Sequence, residues 1–148
     1  MAIYSLAQTS TSTTSAAAAA DVATPTNLGV LFRLMEYGLF LGAATASTFS
    51  LRRTTALGTR TSPVALVPEH SADPALTGIM LVDQAVAFSG EPTEVTAKLR
   101  SIGLPATIGV GVIWTFPRGV SVANQLSLAI IHDATNAASH HHNVVCDL

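Results

Sequence analysis

The stretch from Thr107 to Asp133, TIGVGVIWTFPRGVSVANQLSLAIIHD, limits the folds open to this chain more than any other segment. In steps of two, Ile108, Val110, Val112, Trp114 and Phe116 fall on one side, and Thr107, Gly109, Gly111, Ile113 and Thr115 on the other. A period of two belongs to an extended strand with one large apolar face. Pro117-Arg118-Gly119 is expected to turn the chain, because proline presets φ and glycine tolerates the closing geometry. Val120 and Val122 resume the alternation, Asn124-Gln125 interrupt it, and Leu126, Leu128 and Ile130 carry it on. The expectation is three strands joined by tight turns, an antiparallel meander burying one face. No catalytic motif lies on it.

The rest of the chain follows the same pattern. Met1 to Gln8 has the character of a short strand, followed by a Thr/Ser run and the alanines Ala16 to Ala20. Five alanines cannot nucleate a helix alone. Residues 1–26 are therefore expected to be a strand and a low-complexity arm, flexible or laid along a neighbour, with residues 27–148 forming the folded domain. Leu28 to Leu41 fits either a helical stripe or a buried strand; the Thr-, Ser- and Phe-rich ATASTFSL after Gly42 favours strand, turn, strand. Arg33 and Glu36 are then expected on opposite faces. Thr54 to Asp73 is punctuated by Gly58, Pro63 and Pro68, with a short strand at Val64 to Val67. Gly78 to Phe88 is a nearly continuous apolar run, expected as a core strand. Val95, Ala97 and Leu99 alternate with polar residues, and His142, Val144, Cys146 and Leu148 make a last alternating strand. About eight strands, frequent turns and no convincing helix predict an all-β antiparallel sandwich or jelly roll.

Composition narrows function. Charged residues are 11% of the 148 and hydrophobic ones 49%, against roughly 25% charged in an ordinary soluble domain. Such a chain has little charge for coating a free surface, which points to a subunit covered by neighbours or to a neutral Ala/Thr/Ser exterior. The net charge is −2, with one lysine, Lys98. Scattered arginines do not make the basic patch that nucleic-acid binding needs. The local cluster Arg52-Arg53 with Arg60 has the character of a solvated strand end or a subunit salt-bridge site. Cys146 is alone, so neither an intrachain disulfide nor a CxxC motif is expected. The N-terminus lacks the basic and apolar regions of a signal peptide. The apolar-rich uncharged runs Tyr37–Leu51 and Ser101–Pro117 are shorter than the ~20 residues of a spanning helix, so no membrane partner is expected.

Three patterns invite chemistry. His140 and His142 share a face of the last strand and would present two imidazoles to one metal ion, but no acidic or cysteine partner has ligand spacing, and a structural strand start is the stronger reading. Glu69, His70 and Asp73 cluster in a proline-bounded loop without a nucleophile motif or an anion-binding glycine turn. Gly109-Val110-Gly111 lacks the third glycine and following helix of a dinucleotide fingerprint and is expected to mark a close sheet-to-sheet approach. No catalytic, cofactor or metal residue is assigned from the residues alone.

The opening MAIYSLAQTSTS, the central LMEYGLFLGAATASTFSLRR and above all SIGLPATIGVGVIWTFPRG with the SLAII strand resemble a family of small virion proteins of tailed bacteriophages. The resemblance spans most of the chain and is most specific over Ile108–Gly119; the His140–His142 end and the Arg52-Arg53 step stand outside it. It implies a non-enzymatic, all-β capsid decoration (cement) protein, assembled in the host cytoplasm into the virion. The implied partners are the major capsid protein and further copies of itself, as a homotrimer, at capsomer junctions. A tail- or fibre-associated module that binds the host surface is the alternative, and exposed loop aromatics would mark it. A small jelly-roll hydrolase is a third reading, with no site to support it.

Overall fold

The computed structural model of the chain describes residues 2–10, 18–24, 32–60, 64–76, 81–84, 88–133 and 139–148, with only the backbone for 81–84 and Arg60. Every regular element among them is a strand: β1 (Ile3–Ser10), β2 (Ala18–Ala23), β3 (Phe32–Leu41), β4 (Ser47–Ala56), β5 (Thr59–Arg60), β6 (Val64–Ala65), β7 (Val67–Pro68), β8 (Leu81–Gln84), β9 (Phe88–Gly90), β10 (Thr93–Leu104), β11 (Gly111–Val122), β12 (Ser127–His132) and β13 (His140–Asp147). They form a five-stranded sheet in the order β11-β3-β13-β1-β7, a six-stranded sheet in the order β10-β4-β12-β2-β8-β6, and the small β5-β9 pair.

Eight long strands carry the topology. β1 pairs with β13, β2 with β12, β3 with β11 and β4 with β10, all antiparallel. The chain is thus one long antiparallel ribbon, first strand against last. Successive members of that ribbon lie in opposite sheets, and the pairs β13–β3 and β12–β4 close it. This is the jelly-roll wrapping of a β-sandwich, and it realises the expected fold class.

The alternation places the core. Tyr4 on β1, Phe32, Leu34, Tyr37, Leu39 and Leu41 on β3, and Val144 and Cys146 on β13 face inward. They meet Val22, Phe49, Leu51, Leu128 and Ile130 from the other sheet. Trp114 and Phe116 are buried as the strand period requires, and the Arg100 guanidinium lies 5.1 Å from the Phe116 ring centroid, closing the edge beside β10. Within β3 the inward phase slips. Glu36 pairs with Val145 and Leu34 with Cys146, which leaves Met35 as an extra residue in the ladder. That bulge puts Arg33 and Glu36 on the same outer face, correcting their expected separation.

Four further expectations are corrected. The Thr107–Asp133 segment is no meander. Residues 111–122 form one edge strand in which Pro117-Arg118-Gly119 is a bulge opposite β3, between the pairs Thr115↔Glu36 and Val120↔Leu34. Proline lacks a ladder donor and is tolerated at an edge, and Gly119 takes φ 65°. The next strand, β12, lies in the opposite sheet, because a sandwich of this wrapping alternates sheets along the chain. Ile108 precedes the strand and is exposed. Gly109 is a turn residue at φ 80°, and Gly111 lies against Leu39 and Phe40 of its own sheet, so neither marks an approach between sheets. Finally, the arm expected over residues 1–26 contributes β1 and β2 to the two sheets. Ala18, Ala19, Ala20 and Ala23 are buried there because small side chains let neighbouring layers approach closely. Residues 11–17 and 25–31 lie outside the described part, as do 78–80 and 85–87 of the Gly78–Phe88 run, whose described backbone includes β8.

Candidate functional site: a buried histidine cluster

The polar centre of the molecule lies where β1 ends and β13 begins. Cross-strand register sets Ser10 opposite His140 and Gln8 opposite His142. Strand parity turns Ser10, His140 and His142 inward, and all three are buried. β3 adds Tyr37. From the opposite sheet come Phe49 and His132, themselves cross-strand partners. Phe49 stacks on His132 at 4.8 Å between ring centroids and meets His140 edge-on at 4.8 Å. His132 and His140 are 5.6 Å apart and His140 and His142 6.1 Å. The cluster therefore joins the two sheets.

Its hydrogen bonds have a direction. Tyr37 Oη is 2.9 Å from His142 Nδ1, Ser10 Oγ is 2.8 Å from His142 Nε2, and Ser10 Oγ is 3.2 Å from His140 Nδ1. If the Tyr37 hydroxyl donates to Nδ1 of His142, then Nε2–H of that neutral ring donates to Ser10, and Ser10 O–H donates to Nδ1 of His140. All three contacts are satisfied, and one group is left over, the buried Nε2–H of His140. Running the chain in reverse would strand both the Tyr37 O–H and the His140 Nε2 lone pair. An unsatisfied buried polar group costs about 1–3 kcal/mol, so the first direction prevails and the tautomers of both histidines follow from it.

Electrostatics agree with neutral rings. Burial, followed by the neighbouring His132 and His141, lowers His140 to about 4; burial, then His140 and His141, lowers His142 to about 3. Burial also raises Tyr37 well above the phenol range, helped by Asp21 and Cys146, which keeps its hydroxyl a donor.

This arrangement answers the metal reading of His140–His142. The two do share a face, as expected, but both ring nitrogens of His142 are engaged by hydroxyls. Among the described residues no three His, Cys, Asp or Glu side chains are placed to hold an ion. His141 points outward to Thr9 Oγ1 at 2.9 Å. The Ser10–His142 distance is one a nucleophile and base would have, yet Ser10 is 0% exposed, so no substrate reaches it.

The other candidates lie elsewhere. Glu69, His70 and Asp73 do come together, with Ile3, around an open depression of about 370 Å³. His70 Nδ1 there accepts the Ala72 N–H at 3.2 Å. Arg52 is neither solvated nor left for another subunit: it pairs with Glu94 at 3.0 Å and with Asp133, which also binds Lys98 at 2.8 Å. Burial alone would raise the Asp133 carboxyl, but hydrogen bonds from Lys98 and Ser50 and the charges of Arg52 and Lys98 hold it below its ordinary value. Arg53 donates to the Ser121 carbonyl at 2.8 Å. Cys146 is buried in the core, its thiol pushed well up by burial and by Asp147.

The outer face of the five-stranded sheet has a different character. In register across it run Thr115, Glu36, Val145, Ser5 and Val67, then Ile113, Gly38, Asn143 and Ala7, then Gly111, Phe40, His141 and Thr9. Glu36 is the one carboxylate in these rows, and Ile113 and Val67 are 53% and 58% exposed.

Sequence reasoning found His140 and His142 but missed Ser10, Tyr37, Phe49 and His132. The available signal was parity: Ser10 ends the Tyr4, Leu6, Gln8 face and His132 ends the Leu128, Ile130 face. Comparison with known proteins adds no relative: no protein-family model and no curated protein matches the chain.

Proposed function

We propose that this protein is a non-enzymatic structural subunit of a tailed-bacteriophage particle, a head decoration (cement) protein that joins capsomers and oligomerises, as a homotrimer, on the major capsid protein. The observation that carries the reading is the low charge of the outer face of the five-stranded sheet between the Thr115–Val67 row and the Gly111–Thr9 row, where Glu36 is the one carboxylate and Arg33 and Asp147 pair in the row beyond; the six-stranded sheet bears the Arg52–Glu94–Asp133–Lys98 network. Five strands about 4.8 Å apart and about eight residues long make a face of roughly 600 Å². That is most of the ~800 Å² per partner of a standard interface. Hydroxyl, amide and apolar groups on such a face bind through buried area, which screening by salt does not weaken. The jelly roll serves capsid and lectin domains alike, so the sheet face and the sequence resemblance, not the fold, favour a capsid role. The host-binding alternative called for exposed loop aromatics, and the large exposed hydrophobics among the described residues are Ile and Val.

The test is reconstitution on stripped heads. The wild-type protein should co-sediment with them at low and high salt and raise the temperature of genome release, since a ligand of the intact lattice alone stabilises it. Ile113→Lys, at the exposed centre of the face, should abolish attachment without altering the melting temperature of the free protein. Release temperatures identical with and without the protein would reject the cement role and favour the tail- or fibre-associated one.

A further inference from the structure

The histidine cluster does more than fill the core. Imidazoles from both sheets meet in it: His132 comes from β12, and His140 and His142 from β13, with successive ring centroids 5.6 and 6.1 Å apart. The groups facing it are almost all uncapped by charge. β1 supplies the neutral Ser10 and Gln8, β3 the phenol of Tyr37, and β4 the ring of Phe49. Asp133, next to His132, is held by Arg52, Lys98 and Ser50. Asp21 acts on Tyr37 through its charge. No carboxylate contacts His140 or His142 among the described residues. A proton added to His140 or His142 creates a buried cation that no described carboxylate contacts, and protons on both repel each other along β13.

We propose that this end of the sandwich is an acid-opened joint: when the pH falls, protonation of His140 and His142, which pack against Phe49 and His132, parts the β1–β13 end of one sheet from the β4–β12 end of the other, while the opposite end stays packed. The opposite end is built differently. There Phe32 and Val122 are paired across β3 and β11, and Tyr4 donates to the Pro74 carbonyl at 3.2 Å.

The sign follows from linkage. Histidines lowered to about 4 and about 3 are neutral in the closed form, whereas solvated rings titrate near 6.5. The closed form is therefore favoured in full above about pH 6.5 and loses ground as the pH falls toward 4. At pH 5 each of His140 and His142 shifts the balance toward the open form by about 30-fold, and the two together by about a thousandfold.

Hydrogen exchange of the intact protein at pH 7 and pH 5, corrected for the intrinsic pH dependence of exchange, tests this. Amides of residues 7–10, 130–132 and 140–144 should lose about 100- to 1,000-fold in protection, and those of 32–34 and 120–122 less than about tenfold. His140→Asn with His142→Gln keeps neutral acceptors and donors and should abolish the difference. If that variant does not fold, the imidazole resonances of the wild type decide: His140 and His142 should stay neutral in the closed-state signals at pH 5 and be protonated only in a second, open set. Unchanged protection, equal loss at both ends, loss persisting in the folded variant, or closed-state rings titrating near 6.5 would each overturn the proposal.

Discussion

Ser10→Ala is the sharpest probe of the buried network. Ser10 is fully buried and links His140 and His142 of β13, accepting from His142 Nε2–H and donating to His140 Nδ1. Alanine is nearly the same size, so the change opens little space and removes both bonds. Tyr37 continues to hold His142 in the same tautomer, which leaves Nε2–H without an acceptor. His140 then has no partner at either nitrogen. Two newly orphaned buried groups at about 1–3 kcal/mol each predict a loss of about 2–6 kcal/mol. For a domain of this size that lowers the melting temperature by about 4–24 °C, at about 2–4 °C per kcal/mol. Denaturant unfolding at pH 7.5, with the slope checked for constancy, measures it. The same substitution made in a His142→Leu background should cost at least about 1 kcal/mol less, since one of the two bonds is already gone. An unchanged midpoint for Ser10→Ala, or an equal cost in both backgrounds, would refute the directed chain.

Other residues give independent tests. Trp114→Ala removes a large side chain buried on β11 and should cost about 3–5 kcal/mol by the same unfolding assay. Gly119→Ala places a Cβ 2.6 Å from that of Arg33 at a φ of 65°, so it should destabilise by about 1–3 kcal/mol, whereas Gly103→Ala, with open surroundings, should fall within about 1 kcal/mol. Asp133 has a lowered carboxyl, so its contribution is present above about pH 4 and is lost as the pH falls through its folded value; Asp133→Asn should flatten the wild-type stability curve in that acid window.

Most of the secondary structure could be read from local pattern, because a strand with one buried face repeats every two residues and the residues that matter are neighbours in sequence. The Val112–Trp114–Phe116 face and the last strand both followed from that period. It failed where the period itself was broken, at Met35 and at Pro117-Arg118-Gly119, because a bulge and a turn begin with the same residues and differ only in what the next strand pairs with. It failed again at the N-terminus. Low complexity in residues 9–20 suggested an arm, but buried alanines beside β12 are a packing choice that becomes visible only once the partner strand is in place.

What the sequence by itself determined was the class: extended strands, one apolar face each, and two histidines on one face of β13. What only the tertiary structure decided was pairing across distance. First strand meets last, and successive strand pairs of the ribbon fall in opposite sheets, since the wrapping minimises exposed apolar area over the whole ribbon and not within any hairpin. The histidine cluster belongs to the same category. Ser10, Tyr37, Phe49, His132, His140 and His142 are drawn from five strands spread along the chain, and no spacing announces them. Their chemistry arises because closing the sandwich removes water from all of them at once, leaving each polar atom only the partners the fold brings within reach.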